Sequence, residues 1–137
     1  MPPLLNAAEL ESFFYKGFPM SAAGSIVVEE LGDDSIQIRM RVGEGNLRPG
    51  ATLSGPTLFT LADTVAWLLT VAHLGPGRDA VTSSMTINYL RRPQLADLLG
   101  EGRLLKLGSR LSVVDVLVYS EGSPDPVVQA SVTYAPV

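Results

Sequence analysis

The stretch Ser54–His73, SGPTLFTLADTVAWLLTVAH, constrains this chain more than any other. It reads as a helix in which Leu58, Phe59, Leu61, Ala62, Val65, Ala66, Trp67, Leu68, Leu69 and Val71 leave no clean polar face. A helix of that kind must be buried, in a protein core or in a membrane. Between Arg48 and Arg78 stands a single formally charged residue, Asp63, in the middle of the helix. An isolated carboxylate is costly to withdraw from water unless something compensates it, and Ala or Leu would serve the helix at least as well. Asp63 therefore has a structural partner or does chemistry. The helix start is equally informative. Gly55-Pro56 puts proline in the first turn, where a missing N–H costs nothing, and Ser54 or Gly55 can cap it. The free N–H groups and positive dipole end can bind an anion or polarise a carbonyl oxygen.

Composition settles which environments suit that helix. With 137 residues, 46% hydrophobic and 18% charged, the chain reads as one globular domain, 1–137, large enough to bury a core. Asp63 at mid-helix would cost about 2.5–3.5 kcal/mol in a bilayer, and no basic cluster flanks the stretch. A soluble, cytoplasmic protein with no membrane partner is the expectation. The net charge of -4 argues against nucleic acid as a partner. The absence of cysteine excludes disulfides, a thiol nucleophile and thiolate metal sites. The N-terminus, MPPLLNAAELESFF, lacks the pattern of a signal peptide.

In chain order, Asn6 or an earlier residue opens a short helix in which Leu10, Phe13 and Phe14 share a face, ended by Gly17-Phe18-Pro19. Ser25–Leu31 and Ser35–Val42 form a hairpin about Gly32-Asp33-Asp34. In the second strand Ile36, Ile38, Met40 and Val42 face one way and Gln37, Arg39 and Arg41 the other. Gly43–Gly50 is a loop by its glycine and proline content. The central helix stops at Gly75-Pro76-Gly77. Four strands follow: Ala80–Leu90, Leu98–Leu107, Leu111–Ser120 and Val127–Ala135. In the first, Thr82, Ser84, Thr86 and Asn88 alternate with Ser83, Met85, Ile87 and Tyr89. The fold class is α+β, an antiparallel sheet wrapped around one long buried central helix.

This order, with Leu61-Ala62-Asp63-Thr64 inside the helix, Asn46 in the loop before it, Met85-Thr86-Ile87-Asn88-Tyr89-Leu90-Arg91-Arg92-Pro93 after it and Gly108-Ser109-Arg110 in a later turn, resembles the hotdog fold. More closely, it resembles the phenylacetate-degradation-type acyl-coenzyme A thioesterases. The likeness runs from about Asn46 to the C-terminus. Where that family carries His-Gly-Gly, this chain has Ser54-Gly55-Pro56. Gly55 keeps its N–H, Pro56 has none, and the imidazole is missing.

The resemblance implies a thioester hydrolase in which Asp63 is the nucleophile or the general base. The Gly55 N–H is the implied oxyanion donor. Asn46 binds the thioester or shapes its loop. Ser54 is a substrate contact or a helix cap, and Pro56 and Thr64 lie beside the implied site. Trp67 sets pocket depth together with Met85 and Phe59, and Ser83 or Ser84 lines the acyl pocket. Arg91 and Arg110, from a basic group that includes Arg92, Arg103 and Lys106, suit the phosphates of coenzyme A or a solvated strand face. No cofactor is implied beyond the coenzyme A of the substrate, and no metal. His73 stands at the wrong end of the helix for dehydratase chemistry and suits the dipole there.

Gly55 and Asp63 are separated by eight residues, about 12 Å along a helix. Groups acting on one carbonyl must each come within about 3 Å of it. If both act on one thioester, they come from two chains, which calls for a homodimer with antiparallel helices; assembly to a homotetramer is the further expectation. The rival reading is a non-catalytic acyl-coenzyme A or lipid-binding module.

Overall fold

The structure, a computed structural model, describes residues 1–21, 24–43, 46–48 and 52–137. Helix α1 spans Ala7–Gly17, strands β1 and β2 Ile26–Leu31 and Ser35–Met40, and a two-residue ladder joins β3, Leu47–Arg48, to β4, Thr52–Leu53. Helix α2 is Gly55–Leu74. Strands β5 to β8 are Ala80–Tyr89, Leu98–Leu107, Ser112–Ser120 and Pro126–Pro136. Six strands form one antiparallel sheet in the order β1-β2-β6-β7-β8-β5. The segment read as a plain loop thus contains a short ladder, while residues 44, 45, 49 and 50 lie outside the described part.

Alternation builds the inner face. Ile36, Ile38 and Met40 of β2, Val114, Val116 and Val118 of β7, and Val128, Ala130 and Val132 of β8 are buried against α2. Strand β6 contributes shape rather than bulk. A Cβ on Gly100 would stand 2.6 Å from Val65 Cγ2, and one on Gly102 2.7 Å from Val65 Cγ1. These two glycines let the helix settle onto the sheet at Val65, which is wholly buried.

Helix α1 opens with a reciprocal cap: Glu9 N–H donates to Asn6 Oδ1 at 2.8 Å and Asn6 N–H to Glu9 Oε1 at 3.0 Å. Its side chains then occupy the outer edge of β1. Val28 N–H donates to Glu11 Oε2 at 2.7 Å; the Tyr15 hydroxyl accepts from Ile26 N–H and donates to Ile26 O, both at 3.0 Å. The opposite edge, β5, is exposed at most of its positions.

The central helix departs from the sequence expectation in one respect. It is not enclosed all round: Pro56, Phe59 and Thr60 are exposed, Phe59 to 41%, and Asp63 and Trp67 are half-buried. These residues form one strip along the helix, at i, i+3, i+4, i+7 and i+11. Periodicity measures the helix's own polarity; it does not report how much of the helix one six-stranded sheet can cover. Although α2 is long and apolar enough to cross a membrane, most of it is buried as the core helix.

Candidate active site

Asp63 sits in the third turn of α2, on the uncovered strip. Its Oδ1 accepts from the Tyr134 hydroxyl at 2.6 Å and from Thr82 Oγ1 at 2.9 Å. Of the two readings of Asp63 from sequence, the structural partner exists, as two hydroxyls from β8 and β5. Burial, and then the hydrogen bond to Asp63, push the Tyr134 phenol far above the usual tyrosine range.

Neither hydroxyl was singled out from sequence. A strict period of two from Thr82 puts that residue on the face opposite Met85 and Ile87. The strand instead carries an irregularity between Thr82 and Ser84: Thr82 pairs with Tyr134 and Ser84 with Thr133. One extra residue turns everything before it to the other face. Thr82 therefore shares the inner face with Met85, which lies opposite buried Val132. Ser83 falls at the irregularity and Ser84 lies on the outer face; both are exposed. The signal for Tyr134 was present in β8: Val128, Ala130 and Val132 point inward, the next inward position is a tyrosine, and a buried phenol needs a partner.

The start of α2 is held separately. Ser54 is the cap: its Oγ accepts from Thr57 N–H at 3.1 Å and lies 2.8 Å from Thr57 Oγ1. Asn46 serves the loop. Its Oδ1 accepts from Gly43 N–H at 2.8 Å, and its carbonyl accepts from Ser54 N–H at 3.0 Å and Thr57 Oγ1 at 3.2 Å. The Gly55 carbonyl accepts from the Tyr89 hydroxyl at 3.3 Å. The first amides of a helix have no partner within it, and Pro56, exposed beside Gly55, contributes none. Gly55 therefore stands near Tyr89 and Asp63 near Thr82, apart on one helix as the rise per residue requires.

Thr64 is buried and turned away from Asp63. With Thr60, Phe14, Ile26, Met40 and Asn46 it lines a half-open pocket of about 500 Å³. Trp67 is pinned: its indole N–H donates to Asp79 Oδ1 at 2.8 Å and its ring lies 5.0 Å from Phe13 and 5.7 Å from Phe18, between centroids. His73 is structural. Buried in the last turn, its Nδ1 lies 2.9 Å from Leu69 O and its Nε2 2.6 Å from Asp33 O.

The basic residues do not form one cluster within a chain. Arg91 follows β5 and donates to the carbonyl of Pro126, at the start of β8. Arg110 is exposed before β7, whose Ser112 pairs with Tyr134 near the far end of β8. The eight steps from Pro126 to Tyr134 span about 26 Å. Arg103 lies between the two ends, in register with Asp115.

An antiparallel sheet curved over one core helix, with a carboxylate on the helix's open strip, defines a hotdog domain. Residues 50–127 match the family model of the thioesterase superfamily; the chain belongs to that superfamily and is a thioester hydrolase. The structure is similar to that of a candidate thioesterase from Silicibacter sp. TM1040, with 38% identity, a TM-score of 0.91, and 100% of this chain and 95% of that one covered. It is also similar to a hypothetical thioesterase from Streptococcus pneumoniae TIGR4, solved with coenzyme A, at 25% identity and a TM-score of 0.75 over 90% of this chain and 96% of that one. A candidate esterase of Saccharolobus solfataricus is 27% identical over 121 residues, 88% of this chain and 79% of its own.

Proposed function

We propose that the protein is a cytoplasmic acyl-coenzyme A thioesterase whose sites are each shared by two chains of a homodimer. The observation that carries this reading is Asp63: a carboxylate held by two hydroxyls yet placed on the strip of α2 that the described residues leave open. Water activated by Asp63 adds to the thioester carbonyl, or Asp63 itself adds to form an acyl anhydride that water then hydrolyses; on either route the carbon–sulfur bond breaks as the oxyanion collapses. A proton returns to the departing thiolate, giving the free acid and coenzyme A. The Gly55 N–H of the partner chain stabilises the oxyanion. Support for that role comes from Gly55 itself. A Cβ there would meet nothing among the described residues closer than Tyr89, at 3.9 Å, so packing within the chain does not demand glycine, whereas close approach of a ligand to the backbone does. The coenzyme A bound by the Streptococcus pneumoniae relative supports the substrate class.

Two features support the dimer. Side chains of α1 close the β1 edge, and the β5 edge is open; an open edge is a template for another strand. Antiparallel pairing of β5 with its copy would set the two α2 strips face to face, Gly55 of one near Asp63 of the other. It would also bring the Arg91 end of one chain beside the Arg110 end of the other, where both serve the phosphates of coenzyme A. Two such dimers would form the homotetramer. The alternative, a non-catalytic binding module, is favoured by Ser54-Gly55-Pro56, which offers one N–H fewer than a Gly-Gly turn.

The test is release of free thiol from a panel of acyl-coenzyme A esters. The wild type turns over and Asp63→Asn, nearly identical in shape, falls by at least about 10³-fold, the scale on which essential catalytic groups act. A folded Asp63→Asn protein with undiminished turnover removes Asp63 from the chemistry; a wild type that binds the esters without cleaving them establishes the binding module.

A further inference from the structure

Thr82 and Tyr134 reach the same oxygen of Asp63. They stand opposite each other on β5 and β8, and both lie within 3 Å of Oδ1. Among the described residues, neither donates to Oδ2. A phenol has one proton to give. The other acceptor near Tyr134 is the main-chain oxygen of Asp63, at 3.2 Å; the 2.6 Å contact to a carboxylate is the shorter, and charge-assisted bonds are the stronger. Tyr134 is 3% exposed, too deep to touch a substrate arriving at the open strip.

We propose that Tyr134 and Thr82 are positioning residues that together occupy Oδ1, fix the rotamer of the Asp63 carboxylate and present Oδ2 as the oxygen that meets water or thioester. This deepens the thioesterase reading and rests on it. An ionised carboxylate has about four lone-pair sites. Two donors fill those of one oxygen and leave the other oxygen whole. The strand irregularity between Thr82 and Ser84 becomes part of the site, because it turns the Thr82 hydroxyl inward. Tyr134 stays a donor throughout the neutral range, since burial and then the Asp63 contact hold its proton. The other charged group that this assembly feels is Asp79, from the loop after α2, whose Oδ1 already accepts from Trp67 Nε1 and Ala80 N–H.

The experiment is kcat and KM, measured separately, for the wild type, Tyr134→Phe, Thr82→Val and Thr82→Ser, each first shown to be folded by its thermal transition. Tyr134→Phe keeps the ring and deletes the donor. It should lower kcat by about 10–100-fold, the worth of one hydrogen bond to a charged group, and leave KM near the wild-type value. Thr82→Val should do the same more weakly, and Thr82→Ser should restore most of the loss. A merely structural hydroxyl would lower the thermal transition and leave kcat of the folded protein in place. If the wild type hydrolyses thioesters, Asp63→Asn does not, and both Tyr134→Phe and Thr82→Val keep the wild-type kcat, the positioning proposal is overturned while the thioesterase reading stands. If Asp63→Asn is as active as the wild type, the reading falls and the proposal falls with it.

Discussion

Gly55 is the residue at which packing and chemistry separate most cleanly. Its backbone is not in the left-handed region, and an added methyl would make ordinary contact with Tyr89. Gly55→Ala should therefore change the melting temperature little while lowering kcat, because in the proposed site the methyl would stand where the carbonyl oxygen approaches the amide. Normal turnover in a folded Gly55→Ala protein would show that nothing approaches that backbone. Tyr134 makes a second prediction, in alkali. A tyrosine in the unfolded chain loses its proton near pH 10, and in the folded chain burial and Asp63 hold that proton to higher pH. The unfolded chain thus sheds protons first. The stabilisation is fully present below about pH 10 and is lost as pH rises past it. Urea unfolding followed from pH 8 to 11 should show this decline, reduced in Tyr134→Phe; an unchanged decline would assign it to other groups, such as Tyr119, also held up by burial.

At the level of elements, the meeting of α2 with β6 decides whether the helix is seated correctly. Gly102→Val would press a branched side chain into Val65 Cγ1 and Ile36 Cγ2, 2.7 and 3.1 Å from where its Cβ must lie. Val65 is buried and stiff about χ1, so overpacking of at least about 1–3 kcal/mol is expected. Denaturant unfolding checks it, and a variant as stable as the wild type would mean that the helix shifts freely on the sheet. Much of this level was legible. Asn6 announced the first helix, though not its reciprocal cap with Glu9; Ile36, Ile38 and Met40 announced the inner face of β2; Gly75 announced the end of α2. Hidden features were those set by pairing rather than by local pattern. The irregularity at Thr82 moves a hydroxyl to the other face, and Tyr134 reaches Asp63 from 71 residues away in sequence. The open strip on α2 depends on how wide a sheet lies over it. That Asp63 calls for compensation was readable, because a lone carboxylate in an apolar helix is costly without a partner.

At the scale of the whole molecule, each chain of the proposed dimer is half of two sites. Among the described residues the two sheet edges differ in kind, one closed by Glu11 and Tyr15 and one left open, which supports the proposed pairing of two copies through the open edge. The helix keeps Gly55 about 12 Å from Asp63 of the same chain, and separate contacts, to Tyr89 and to Thr82 with Tyr134, hold them there. The most direct measurement is complementation. Asp63→Ala and Gly55→Pro, which deletes the amide N–H, are each prepared as folded dimers and should each be nearly inactive. Refolded together at equal concentration, half of the dimers are mixed, and each mixed dimer has one site with both wild-type groups and one with neither. Turnover should recover to about a quarter of the wild-type value, by random pairing of an isologous dimer. Mixed dimers that form and remain as inactive as their parents would contradict the account: Asp63 and Gly55 would then not act on the same carbonyl.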